Sequence, residues 1–575
     1  MTWEIKNYLQ KIVEREHGAA VYPPGLRTPV AFVYPNEYHL GMSNLGLHIL
    51  YQIINGRGDT ACERFFLPDK KLLRDYEKSN TPLLSMETQR PLADFAVIFV
   101  MLSFEMDYDN LLKILDLGNI KLRAAERGER EPLVVIGGPC ATFNPEPVAA
   151  VADACVIGEG EETVQRILDA VYQGGSRDEL LLTLANIPGV YVPRFYEVRY
   201  DENGSFAGVA ADARVPEKVE RQWVRDIDAY THTSAIVTDQ TEFENMYIVE
   251  VARGCGRHCR FCMAGYCFRK PRPRKLENIL ADIARRPAVT KKVGLMGAAV
   301  SDHPQIKELT AELVRQGVNF SVASLRADTL DEQMTSALAA SGQRTMTVAP
   351  EAGSERMRRS INKGITEEHV YKAMELAAAA GMKNIKLYYM IGLPGEEDSD
   401  IDEMIAMINR IRSKMDDAGN TGELVISVNG FVPKPFTPYQ WAPLCAIKTL
   451  KHRFEMLKSA FKKNRRIKLI TESLKETVVQ AVLARGDRRI GEALLTAHET
   501  GDSLKNALKD MGIDAESYAS RKLQPGAALP WSHLDMGFSE DYLAAELERS
   551  KTGSFTPMCP LNIDVCRRCG VCGRA

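Results

Sequence analysis

Three cysteines in the string Glu250-Val-Ala-Arg253-Gly-Cys255-Gly-Arg-His-Cys259-Arg-Phe261-Cys262 have the spacing C-x-x-x-C-x-x-C. Three thiolates on one loop can hold three irons of a 4Fe–4S cube and leave the fourth iron without a protein ligand. An open metal position serves chemistry, whereas a structural site closes its coordination shell. The competing reading is a zinc loop, with His258 or Cys267 as the nearest fourth ligand. A second set, Cys559, Cys566, Cys569 and Cys572, ends the chain, its last three members spaced C-x-x-C-x-x-C. Clustering free thiols has no packing benefit, so this set also reads as metal-binding, for a second 4Fe–4S cluster or one tetrahedral zinc. Cys62, Cys140, Cys155, Cys267 and Cys445 read as small buried apolar residues.

Such ligands need elements to hold them. The apolar run Tyr247–Val251 reads as a strand, so the first trio lies on a loop leaving a strand end. Further strand-like runs follow at Val293–Met296, Asn319–Ala323, Thr345–Val348, Ile385–Ile391 and Leu424–Val428. Six strand–helix units are too few to close an eight-stranded barrel. Upstream, Val30–Tyr34, Phe95–Leu102, Leu133–Ile136 and Ala154–Ile157 are too apolar for a half-exposed sheet. Helical patterns at Asn44–Ile54, at Tyr108–Leu117 and from Glu161 alternate with them. This predicts a doubly wound, Rossmann-like parallel sheet over residues 28–175. Gly137-Gly138-Pro139 and Gly158-Glu-Gly160 follow strand ends, where such folds place ligand loops.

The class is therefore α/β. Residues 1–27 form an amphipathic lead-in helix with Trp3, Tyr8, Leu9, Ile12 and Val13 on a helical period. Residues 176–240 read as a connector with a hairpin turn at Asp201-Glu-Asn-Gly204. The second strand series occupies 241–445, a helical region 446–553, and a cysteine-rich metal-binding tail 554–575.

Polar motifs sit at the ends of the later strands: Ser324-Leu-Arg326-Ala-Asp328, Ala349-Pro-Glu351-Ala-Gly353-Ser354, Ile361-Asn-Lys363-Gly364, Gly392-Leu-Pro394-Gly395-Glu396 and Val432-Pro-Lys434-Pro435. Parallel barrels build active sites at that edge. With Phe261 before its third cysteine, the trio resembles the radical S-adenosylmethionine (radical SAM) superfamily. From about residue 28 the chain resembles a family within it that has an N-terminal cobalamin-binding-like domain. Further marks are Gly41-Met-Ser-Asn-Leu-Gly46, Arg90-Pro-Leu-Ala-Asp-Phe95, Gly137-Gly-Pro-Cys140, Ala484-Arg-Gly-Asp-Arg-Arg-Ile490 and Leu529-Pro-Trp531.

That resemblance implies an open, partial (β/α)6 barrel and a 4Fe–4S cluster on Cys255, Cys259 and Cys262. It implies S-adenosylmethionine at the open iron, cleaved by one electron to methionine and a 5′-deoxyadenosyl radical. The fourth-strand motif is similar to the one methylthiotransferases use around the ribose, which implies Glu351 and Ser354 as contacts. Ser324 joins this cofactor-binding set, and Arg326 suits the cofactor carboxylate, since a guanidinium binds carboxylates bidentately. Structural ion pairs at Arg326 and Glu351 are the alternative. Members with cobalamin carry D-x-H-x-x-G after the first strand; here Glu37-Tyr-His39-Leu-Gly41 departs from it, so cobalamin on His39 competes with a domain that keeps the fold alone.

Lys386 lies inside an apolar strand, where an unpaired charge is costly to bury. With Tyr388 it forms a candidate catalytic pair facing the barrel lumen; a lysine snorkelling from the strand edge is the alternative. The run Phe268-Arg-Lys-Pro-Arg272-Pro-Arg274-Lys275 could grip phosphates or be a solvated loop. Formal net charge is −3, which argues against an extended nucleic-acid-binding face. Twelve cysteines without a secretory signal point to a reducing cytoplasm, and no apolar stretch is long enough to span a membrane.

The expected partners are a one-electron donor such as flavodoxin or ferredoxin and a substrate such as an RNA or ribosomal component, modified by methylthiolation or, with cobalamin, methylation. The alternative is an iron–sulfur electron-transfer or cluster-assembly protein that does not turn over S-adenosylmethionine.

Overall fold

The computed structural model describes residues 2–202, 204–560, 562 and 565–572. Strands β1 (Thr28–Tyr34), β2 (Thr60–Phe66), β3 (Val97–Met101), β4 (Leu133–Gly137), β5 (Ala154–Val156) and β6 (Val190–Tyr191) form one sheet in the order β2-β1-β3-β4-β5-β6. All neighbours are parallel except β5 and β6. The order reverses between β1 and β3, which opens a crevice at the carboxyl ends of those two strands. The expected helices form at Leu45–Asn55, Tyr108–Leu117 and Thr163–Gln173. The lead-in helix, Thr2–Val13, buries Ile5, Leu9 and Ile12 in the same core and leaves Trp3 and Tyr8 exposed. The hairpin Tyr196–Tyr200/Phe206–Ala211 forms where the turn signal lies.

Strand β2 carries no apolar signature, yet all seven of its residues are buried. Arg64 pairs with Glu16 at 2.6 Å and with Glu87 at 2.6 Å, all three side chains sealed from solvent. Glu63 accepts hydrogen bonds from Ser85 and Thr88. A buried charge is tolerated only when its partners are supplied, and these come from distant segments.

The second strand series begins with β7 (Met246–Glu250), β8 (Lys292–Met296) and β9 (Phe320–Val322), hydrogen-bonded in that order and parallel. It continues as β10 (Thr345–Glu351), β11 (Asn384–Ile391), β12 (Leu424–Gly430) and β13 (Ile467–Thr471), again parallel and consecutive. A parallel bridge between Leu325 and Val348 joins the two groups. All six expected strands form. A seventh, β13, joins them from the region read as helical, because its lysine-containing, half-exposed run hides its period. Helix Leu45–Asn55 of the first sheet sets Leu45 and Ile49 against Ile248, covering the face of β7 opposite Tyr247 and Val249. Helices Leu474–Ala484 and Arg488–Thr500 pack into the core of the N-terminal sheet, where Asn144 donates to the carbonyls of Ala484 and Gly486. Among the described residues no helix is long and apolar enough to cross a membrane.

One carboxyl beside the first sheet makes stability depend on pH. Burial pushes Asp107 up to about 6, against hydrogen bonds from Asn36 and Asn110 that favour its ionised form. The folded chain therefore holds this proton more tightly than the unfolded chain does. That contribution is full below about pH 4, is lost as pH rises to about 6, and is flat above. Asp107→Asn should match the wild type at pH 4 and exceed it at pH 7 by about 1–2 kcal/mol, read from denaturant midpoints at both pH values.

Candidate functional site

Because both strand series are parallel, every loop after a strand end opens at one edge. The first such loop carries Cys255, Cys259 and Cys262. Its turn depends on Gly254, at φ +77°, where a Cβ would lie 2.1 Å from the Phe268 carbonyl oxygen. Cys259 is buried, and the other two are partly exposed. The thiols feel one another: burial and then Cys259 raise Cys255, while burial, Cys259 and Cys255 push Cys262 up to about 12. Three thiols that resist ionising together suit a cationic iron centre, which would stabilise all three as thiolates.

Arginines between and beside the cysteines pin this loop. Arg253 bonds both carboxylate oxygens of Glu250 at 2.9 and 2.8 Å and reaches Glu161 and Glu159. Arg257 forms a bidentate pair with Asp302 at 2.8 and 2.9 Å. Arg260, fully buried, pairs with Glu546 and donates to the carbonyls of Ser360 and Ser554. Arg269 donates to the carbonyls of Arg257 and Gly265. The zinc alternative loses its histidine: His258 is spent on Tyr542 and Arg269, and burial with the surrounding arginines lowers it to about 2. Among the described residues no three His, Cys, Asp or Glu side chains converge on a single-ion position.

The later strand ends meet this loop unevenly. Ser324 is exposed at the end of β9. Arg326 bonds Asp328 at 3.0 and 3.1 Å and the Lys363 carbonyl at 2.8 Å. Glu351 takes φ +70° after a break in the β10–β11 register, a conformation that costs a non-glycine residue about 1 kcal/mol. Lys363 bonds its carboxylate at 3.1 Å and lies 6.0 Å from the Phe261 ring centroid, linking Glu351 to the cysteine loop. Ser354 is fully buried; its hydroxyl donates to Asp400 and accepts from the Met357 amide as a helix cap. In β11 the buried residues Ile385, Leu387, Tyr389 and Ile391 alternate with Lys386 and Tyr388 on the half-exposed face. The Lys386 ammonium sits 4.7 Å from the Tyr388 ring centroid. Lys386 is four residues, roughly 13 Å, short of the strand's carboxyl end, so it lies away from the cysteine edge.

Between the carboxyl ends of the first sheet and the flank of the cysteine loop is a cavity of about 500 Å³. Phe32, Met101 and Gly138 line one wall; Gly254, Ala264 and Met296 line the other. His39 is not among its lining residues. It is half-exposed and faces Glu37 and Glu242 at 3.6 and 3.2 Å, so cobalamin ligated by His39 does not fit this cavity. The basic run is also corrected, being neither a solvated loop nor a phosphate grip. Arg269, Arg272 and Arg274 are buried, with Arg272 on Glu159 at 2.6 Å and Arg274 on Asp282 at 2.8 Å.

The terminal cysteines return to the first trio. The Cys559 amide donates to the Gly256 carbonyl at 2.8 Å, one residue past Cys255. Its sulfur lies 3.8 Å from His258 Nε2 and 4.0 Å from Arg269 Nη1. Cys569 and Cys572 are buried, and Cys559 is raised by burial and by Cys569 and Cys566 while Arg269 lowers it. Thr556 and Asn362 exchange backbone and side-chain hydrogen bonds, and Asn362 also donates to the His258 carbonyl. This docking escapes sequence reading because its partners lie about three hundred positions apart, although Asp302, after a strand end, was open to the same argument as Arg326.

A family model described as the radical SAM superfamily matches residues 249–408, and one described as the N-terminal part of radical SAM proteins matches 46–193. An uncharacterised protein of Methanocaldococcus jannaschii is 29% identical over 484 residues, covering 84% of this chain and 93% of that protein. An uncharacterised methyltransferase of Pyrococcus horikoshii is 24% identical over 290 residues, covering 48% of this chain and 58% of that one. The tRNA-2-methylthio-N(6)-dimethylallyladenosine synthase of Carboxydothermus hydrogenoformans is 25% identical over 179 residues, or 28% of this chain and 40% of the synthase. This chain thus spans less than two thirds of the latter two. Among solved structures, the radical S-adenosylmethionine methyltransferase TsrM of Kitasatospora setae aligns with TM-score 0.46 at 16% identity, over 72% of this chain and 74% of that one.

Proposed function

Since this chain belongs to the radical SAM superfamily, we propose that Cys255, Cys259 and Cys262 hold a 4Fe–4S cluster at which S-adenosylmethionine is cleaved reductively. When bound, that cluster supplies the single electron that splits the sulfonium and yields the 5′-deoxyadenosyl radical. The observation that carries this reading is the placement of three mutually interacting thiols, on an arginine-pinned loop, at the carboxyl edge of an open parallel barrel. The protein's part is to fix that loop through Arg253, Arg257 and Arg260, to bind the cofactor at Glu351 with Ser324 and Arg326 nearby, and to keep water out. Ser354, as a buried cap, acts by holding the turn after Glu351. Lys386 and Tyr388 face the lumen, and their role is with the substrate rather than with the cofactor.

The substrate class follows from the relatives. We assign methylthiolation or methylation of an RNA or a ribosomal component, supported by the stretch shared with the tRNA-modifying synthase. The tail cysteines Cys559, Cys566, Cys569 and Cys572 form the second metal site, with a 4Fe–4S cluster favoured over zinc by their C-x-x-C-x-x-C rhythm. A one-electron carrier such as flavodoxin or ferredoxin is the reductant, and the cytoplasm is the compartment that keeps twelve cysteines reduced.

The test is anaerobic reconstitution with iron and sulfide, followed by S-adenosylmethionine and dithionite. Release of 5′-deoxyadenosine and methionine is expected; none from fully loaded protein would favour a cluster carrier without turnover. Glu351→Gly should relieve the left-handed strain while removing the pair with Lys363, leaving stability within about 1 kcal/mol of wild type. Its affinity for S-adenosylmethionine, measured by equilibrium dialysis, should fall about tenfold or more.

A further inference from the structure

We infer that the cysteine-rich tail is the docking face for the electron donor, and that this donor is a small acidic one-electron carrier protein. The inference rests on the proposed cluster at Cys255, Cys259 and Cys262, whose reduction it concerns. Position is the first observation: through the Cys559–Gly256 hydrogen bond the tail backbone lies directly on the cysteine loop. A partner seated on the tail therefore touches the segment that joins both cysteine sets.

Surface chemistry is the second. Phe555 is 69% exposed, Met558 47% and Val565 69%, values otherwise reached among the described large apolar residues only near the N-terminus, at Trp3 and Leu26, or at modest exposure elsewhere. Exposed apolar groups concentrated on one short segment mark an interaction site more often than a random surface does. Arg568 donates to the carbonyls of Pro557 and Met558, which sets its guanidinium beside this apolar group.

Charge is the third. From Arg549 to the last residue the sequence holds five basic residues, Arg549, Lys551, Arg567, Arg568 and Arg574, against Asp564 alone. The whole chain carries −3, so this short end is a positive feature on a negative protein. Such asymmetry steers an acidic partner to one face and repels it from the rest. An RNA would also be drawn to positive charge, but Met558 and Val565 are aliphatic and offer no ring for base stacking. The apolar and cationic mixture fits a protein surface better.

In each encounter one electron leaves the carrier, oxidising it by one step, and reduces the metal centre on this chain by one. No bond to the protein forms or breaks.

The experiment uses the full-length, reconstituted protein and an acidic flavodoxin as probe, with binding read by fluorescence anisotropy and cluster reduction by stopped-flow absorbance. The triple variant Phe555→Ser, Lys551→Glu, Arg567→Glu is expected to bind flavodoxin about tenfold more weakly and to be reduced by it about tenfold more slowly. Reduction by dithionite should be unchanged. Wild-type affinity should fall with rising salt, and the conservative variant Phe555→Leu, Lys551→Arg, Arg567→Lys should restore binding. Wild-type binding and reduction in the charge-reversed variant overturn the inference. So does a variant that keeps flavodoxin but loses affinity for bulk tRNA, which would assign the face to nucleic acid. If no cluster assembles on Cys255, Cys259 and Cys262, the functional proposal fails while the anisotropy result still decides the docking face.

Discussion

Replacement of Cys255, Cys259 and Cys262 together by alanine should abolish S-adenosylmethionine cleavage, lowering 5′-deoxyadenosine release by at least about 10³-fold. A size this large follows from the chemistry: without the open iron no other group on this chain can deliver an electron to the sulfonium. The same variant separates the two metal sites. The tail ligands Cys559, Cys566, Cys569 and Cys572 remain, so about half of the iron should persist if the tail carries a second 4Fe–4S cluster. Zinc retained without iron would instead assign the tail a tetrahedral zinc. Metal analysis and low-temperature electron paramagnetic resonance on the anaerobic variant make the measurement.

The second large effect is on stability and on the joint between loop and tail. Arg260 and Glu546 are both fully buried and 3.0 Å apart, and Thr556 donates to the same carboxylate at 2.8 and 2.9 Å. Removing one member leaves the other charged and without its counter-ion. Glu546→Ala should therefore destabilise the protein by about 3–5 kcal/mol. Arg260 also donates to carbonyls on the 359–360 turn and at Ser554, so the damage should centre where the tail meets the cysteine loop. Limited proteolysis should cut Glu546→Ala near residue 553 before the barrel unfolds, and thermal melts should show the loss. Glu546→Gln, which keeps hydrogen bonding but not charge, should fall between the two. An unchanged melt and intact tail in Glu546→Ala would show that the pair does not hold the joint.

Much of the fold was legible because its signals are local. Strands β1, β3, β4 and β5 and the six expected barrel strands are short apolar runs flanked by helical periods, and burial on both faces makes such runs self-announcing. The cysteine spacings are equally local, since a ligand set on one loop is written in consecutive residues. Strand β2 was not legible: Glu63 and Arg64 mask it, and the groups that neutralise them, Glu16 and Glu87 among others, lie elsewhere in the chain. The basic run at 268–275 misled for the same reason. Its arginines look solvated in sequence and are buried in the fold, because Glu159 and Asp282 arrive to meet them.

By itself, then, the sequence determined the metal-binding thiols, the alternation of strands and helices, and the edge at which the loops gather, because spacing and periodicity are short-range properties of a chain. Tertiary structure alone decided that Ser354 is a buried cap, that His39 stands outside the interdomain cavity, and that Cys559 lies against Gly256. Each of these depends on contacts between segments far apart in sequence, and the chain records such contacts only after packing has brought the partners together.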